Sequence, residues 1–212
     1  MMKVVFSILL FAILYGCATS TQITGSWESP DAGTKKYTSI IVTALTDDTG
    51  ARETAEQNVA SVLAERGVKA TKSIDILPPN FTKGKQVDKE LLMDKIHATG
   101  STAILTVALI NKETEQRYIP GTYGYTPITR FGYYGRFSGY YTQWYPTLYS
   151  PGYYEQDKIY FIETNVYDSQ TEDLIWSAQS ETYNPSTLSG FSKDFAETVV
   201  GKLMKDGIID KK

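Results

Sequence analysis

The chain holds a single cysteine, Cys17, and it stands at the end of the most apolar stretch in the sequence. With no second thiol to pair with, the fold has no disulfide and must be held by burying apolar side chains. The stretch itself starts with Lys3, is apolar from Val4 to Leu14, and closes on Leu14-Tyr15-Gly16-Cys17. An apolar run of about eleven residues falls short of the roughly twenty needed to span a bilayer as a helix. It therefore reads as a secretion signal rather than a permanent transmembrane anchor.

In detail the segment resembles the bacterial lipoprotein signal, with Leu14 three places before the cysteine and the small Gly16 directly before it. The resemblance implies cleavage between Gly16 and Cys17 and lipidation of the Cys17 thiol by a diacylglyceryl group, with palmitate among the acyl chains. Each buried CH₂ contributes about 0.8 kcal/mol, so two or three chains hold a protein to a membrane durably. Ala18, rather than Asp, follows the cysteine, and by resemblance to Gram-negative sorting this implies the outer membrane, on its periplasmic side. Residues 1–16 are thus expected as signal peptide and 17–38 as a lipidated tether. Residues 39–212 are expected as a single α/β domain.

Net charge is −3, and −4 once Lys3 leaves with the signal, so no basic footprint for nucleic acid is present. The tether is polar apart from Ile23 and Trp27, and Trp27 is expected to be the first side chain to dock on the core. Tyr37 to Leu45 is rich in β-branched residues and reads as a strand. From Ala51 to Arg66, Ala55, Val59, Val62 and Leu63 form one helical stripe, with Asp47, Asp48 or Thr49 as cap and Gly67 as stop. Val68 to Ser73 is a weak strand, and the Pro78-Pro79 pair places a loop between Leu77 and Lys85.

A second helix fits Val87 to Ala98 with Leu91, Leu92 and Ile96 inward, and Ser101 to Ile110 is a strand with two apolar faces, as a central strand has. Lys158 to Asp168 and Leu174 to Tyr183 form an antiparallel hairpin around a turn at Ser169 to Asp173. Asn184-Pro185 resembles a cap, and a last helix carries Phe191, Phe195, Val199 and Leu203 from Ser189 to Lys205. The order is β-α-β-α-β-β-β-α. It suits an α+β two-layer sandwich, a mixed β-sheet with about three helices.

Several of these segments share a further likeness. They are the early Trp27, the Arg52-containing helix ending Leu63-x-x-x-Gly67, Ala103-Ile104-Leu105, the Gly/Tyr-rich insertion, Val166-Tyr167-Asp168-x-x-Thr171-x-x-Leu174-Ile175-Trp176 and the closing Phe195 to Gly207 pattern. Together they resemble small bacterial envelope lipoproteins whose shared domain has no assigned function. The resemblance implies an α/β domain in the envelope and transfers no catalytic or binding residue. For Asp168 to Trp176 the structural reading is preferred: Asp and Thr satisfy the backbone of a tight turn, and Trp176 packs beneath the sheet.

Chemistry-bearing patterns are sparse. The single histidine, His97, falls near the end of the second helix, without the cysteine or histidine partners a zinc site needs. Ser101 lies near it but begins a strand, and there is no Gly-x-Ser-x-Gly elbow. Asp47-Asp48 lacks the spacing of a calcium loop, Asp88 and Glu90 are an ordinary surface pair, and Gly132-x-x-Gly135 follows no strand. No cofactor, no metal and no catalysis are expected.

The informative segment is the insertion 118–157. Eleven of the sixteen tyrosines fall in it, interleaved with six glycines and four prolines. At about forty residues it is far longer than an ordinary connection. Tyr133, Tyr134, Arg136, Tyr140, Tyr141, Trp144 and Tyr145 form its densest part and are the candidate binding surface. Tyrosine offers a rigid apolar ring with a polar tip, suited to protein interfaces and to stacking on sugar rings, and a neighbouring arginine adds cation–π contacts. The expected partners are the membrane, through the lipid anchor, and an envelope protein. The alternative partner is peptidoglycan or another cell-wall glycan. A mobile insertion without contacts and a cell-wall hydrolase with an acidic pair are the remaining readings.

Overall fold

The computed structural model describes residues 21–30, 32–77, 88–119, 153–185 and 187–210. Ten elements follow in chain order: β1 (Thr21–Glu28), β2 (Ser39–Leu45), α1 (Thr49–Glu65), β3 (Lys69–Lys72), a 3-10 turn (Ser73–Asp75), α2 (Lys89–Ala98), β4 (Ala103–Ile119), β5 (Tyr153–Asp168), β6 (Leu174–Tyr183) and α3 (Leu188–Lys205). The protein is α+β, with a six-stranded mixed sheet in the order β1-β6-β5-β4-β2-β3. β2 pairs in parallel with β3 and β4, whereas β6 pairs antiparallel with β1 and β5. The described chain divides into two compact units, one up to Glu113 and from Ile159 onward, the other from Thr114 to Lys158.

Alternation along the strands decides which side chains enter the core of the first unit. Ile40 and Val42 on β2, Ala103, Leu105 and Val107 on β4, Ile162 and Val166 on β5, and Trp176 and Ala178 on β6 share one face. Val59, Val62 and Leu63 of α1 and Phe195, Ala196, Val199, Val200 and Leu203 of α3 close over them. The two helices also pack on each other. The shorter α2 lies by the opposite face, where Leu92, Met93 and Ile96 meet Thr43, Ile104, Thr106 and Tyr167.

Four expectations need correction. The tether expected over 17–38 includes strand β1, whose Thr21 to Glu28 pair with Thr182 to Trp176 at the sheet edge. A bulge between Ile23 and Gly25 shifts its register, so Ile23 opposes Ser180 on the core side but Trp27 opposes Ser177 on the other. Trp27 is consequently 49% exposed and does not dock on the core. Leu91, expected inward, is 46% exposed, because the buried stripe of α2 runs through Ile96 with Leu92 and Met93 partly covered. The cap of α3 is Thr187, whose hydroxyl accepts from the Gly190 N–H, rather than Asn184-Pro185; Asn184 sits at positive φ in the preceding turn.

Candidate functional site

Gly16 and Cys17 lie outside the described residues, as do Tyr133, Tyr134, Arg136, Tyr140, Tyr141, Trp144 and Tyr145. The structure describes the stem from which the aromatic segment leaves. Within the second unit, Arg117 pairs with Glu155 at 3.0 Å and with Asp157 at 3.2 Å, and the Tyr118 and Tyr154 rings lie 5.2 Å apart. These contacts bind the two strand ends across the base of the segment.

In the first unit, two buried carboxylates carry most of the polar architecture. Asp168 ends β5 and starts the turn to β6. Its Oδ1 accepts the N–H groups of Gln170 and Thr171, and Thr171 Oγ1 accepts the N–H of Asp173, as a tight polar turn requires. Its Oδ2 accepts from Lys35 at 2.5 Å and from the Tyr37 hydroxyl at 3.0 Å. Burial alone would raise the Asp168 carboxyl, but the donors from Lys35, Gln170, Tyr37 and Thr171 outweigh it and hold its pKa down at about 2. Burial, with Asp168 beside it, pushes Tyr37 up to about 12. Next in the turn, the Ser169 carbonyl accepts from His97 Nε2 at 2.7 Å, and Ser169 Oγ donates to the Ser101 carbonyl. His97 and Ser101 therefore meet around the turn, but as backbone supports rather than as a base and a nucleophile.

Glu56 is fully buried on α1. Its Oε1 accepts from the Ala44 N–H, Arg52 Nε and Ser73 Oγ, and its Oε2 accepts from the Ile74 N–H. Arg52 also donates to Ser73 Oγ at 2.7 Å. One side chain thus ties β2, α1 and the 3-10 turn together. Nothing in the spacing of polar residues marks Glu56 as functional, although it precedes Val59 by three and Leu63 by seven residues and so falls on the apolar stripe. On the other side of the core, Trp176 Nε1 donates to Asp206 at 2.8 Å, and Lys202 pairs with the same carboxylate group.

A cavity of about 470 Å³ opens at one end of the sheet, where the N-termini of α1 and α3 converge. Leu45, Ala55, Leu109, Ile162, Leu188 and Phe191 line its apolar walls, and Asp48 and Thr187 stand at the helix starts. Both cap side chains are occupied, Asp48 by the N–H groups of Gly50 and Ala51 and Thr187 by that of Gly190. The volume falls in the range of small-ligand sites, but the described residues of its walls bring no nucleophile–base pair together. Asp47-Asp48 serves as the helix cap region, and Asp88 caps α2 through the Leu91 N–H. Among the described residues no group of three or more His, Cys, Asp or Glu is placed to hold a metal ion, and no helix is long and apolar enough to cross a membrane.

No family model matches the chain, and no curated protein matches it. Among solved structures it is similar to lipoprotein GNA1162 from Neisseria meningitidis, with 15% identity over 79% of this chain and 98% of that one, at a TM-score of 0.43. It is also similar to the PelC dodecamer from Paraburkholderia phytofirmans, with 13% identity over 84% of this chain and 96% of that one, at a TM-score of 0.41. Likeness at these identities and scores carries no inference about activity or partners.

Proposed function

We propose that the protein is a lipid-anchored, non-enzymatic component of the bacterial cell envelope, held by Cys17 at the outer membrane, that presents its aromatic insertion to another envelope protein. The observation that carries this reading is the concentration of tyrosines in 118–157, inserted between two strands of a domain whose own buried carboxylates are engaged in structural hydrogen bonds. Tyrosines with Arg130 and Arg136 among glycines and prolines supply adaptable, amphipathic contact area, the composition of a protein-recognition surface. The paired stem at Arg117, Glu155 and Asp157 joins the ends of the segment. Recognition segments carried between the strands of a rigid scaffold are a common arrangement, which supports this reading.

Deletion of residues 121–152 tests the reading. The expected result is a melting temperature within a few degrees of the intact protein, together with loss of partner recovery in affinity purification from envelopes. Unchanged recovery would sink it. The run Tyr140, Tyr141, Trp144 and Tyr145 favours a second reading, stacking on wall glycan, which predicts co-sedimentation with purified sacculi.

A further inference from the structure

The tether of this protein is far shorter than its sequence suggests, and that constrains which end of the first unit meets the membrane. Strand β1 begins at Thr21, four residues after Cys17. Four extended residues reach at most about 14 Å. Thr21 opposes Thr182, and Thr182 opposes Tyr160, so the first residue of β1, the end of β6 and the point midway along β5 where that strand enters the first unit lie in one row. The Tyr160 ring lies 5.7 Å from that of Phe191, which lines the apolar cavity. The same end of the unit carries Leu45, Leu109, Ile110, Tyr183 and Leu188, each between 43% and 57% exposed.

We infer that this end of the first unit, with Leu45, Leu109, Leu188 and the mouth of the cavity, rests on the lipid surface that holds the acylated Cys17. The inference depends on the anchoring proposed above. Large aliphatic side chains and a tyrosine, gathered where the chain leaves for its anchor, suit the boundary between headgroups and acyl chains. Asp47 and Asp48 flank the site, so the attraction is apolar and the fitting surface is a zwitterionic phospholipid bilayer. The C-terminal end of α1 points the other way, with Glu65 about 24 Å along the helix from Thr49.

The test uses the lipidated protein in vesicles of phosphatidylcholine and phosphatidylethanolamine, with an environment-sensitive fluorophore attached at Leu45→Cys, Leu188→Cys or Glu65→Cys. The acylated Cys17 does not compete for the label. With quencher-bearing lipids, the labels at 45 and 188 should lose at least half of their fluorescence, roughly a twofold drop, at low and high salt, while that at 65 is unaffected. Hydrogen exchange on the unlabelled protein should show residues 185–192 protected on the same vesicles. Protein that floats with the vesicles without quenching at 45 and 188 or protection of 185–192 overturns the inference and leaves the anchor standing. The same holds if a second copy covers this end instead, seen as vesicle-independent protection with dimer in solution. Protein that fails to float overturns the anchor and the inference together.

Discussion

Asp168 and Glu56 solve the same problem, a carboxylate removed from water, with donors taken from distant parts of the chain. At Asp168 the donors are Lys35, Tyr37 and two turn amides, and the ionised form is favoured down to a pKa of about 2 against an ordinary 3.8. A group with a lowered folded pKa stabilises fully above its unfolded value and loses that contribution as pH falls toward the folded one. Asp168→Asn keeps the turn-accepting oxygen and removes the charge. It is expected to cost on the order of 2 kcal/mol at pH 6, discounted toward 1 because Lys35 is half exposed, with the gap to the native protein closing between about pH 4 and pH 2. Melting curves across that range check it. A gap that stays constant would mean the charge has no folded partner. Glu56→Ala removes the acceptor of two backbone amides and strands Arg52, with an expected loss of about 3–5 kcal/mol in urea unfolding. The turn at Asp168 was legible because Asp and Thr have local roles that spacing reveals. Glu56 was not, because its partners Ala44 and Ser73 are brought to it only by the fold.

At the scale of elements, periodic patterns translated well where the period was unbroken. Val59, Val62 and Leu63 of α1, Phe195, Val199 and Leu203 of α3 and the alternating residues of β4 up to Val107, of β5 and of β6 enter the core as their spacing marks, whereas Ala55 and Phe191 are half-buried and Leu109, past the end of the helical cover, is exposed. β1 was read as tether because the Ile23–Gly25 bulge breaks its period, and Trp27 was misplaced for the same reason. Helix α3 allows a clean test of its two glycines, Gly190 in the first turn and Gly201 in the interior. A methyl group at Gly201 would meet nothing within 4 Å, whereas at Gly190 it would lie 3.1 Å from the capping Thr187 Oγ1. Gly201→Ala should therefore stabilise by up to about 1 kcal/mol, and Gly190→Ala should gain less or destabilise by disturbing the cap. Equal gains at both positions in thermal denaturation would contradict the role given to Thr187.

For the whole molecule, the sheet and its two large helices make a core without a disulfide, and β1 incorporates all but three residues of the chain between Cys17 and Ser29. That leaves 118–157 as the part of the sequence whose composition is not explained by the core. Its existence was plain from the tyrosine spacing, but its occupant is not written in it, since rings that stack on protein also stack on sugar. The most direct measurement places a photo-crosslinking residue at Tyr140 in the lipidated protein in cells and identifies its adducts by mass spectrometry. One discrete envelope-protein adduct is expected, lost when the crosslinker is moved to Glu65. Capture of lipid alone, or of nothing, would contradict it.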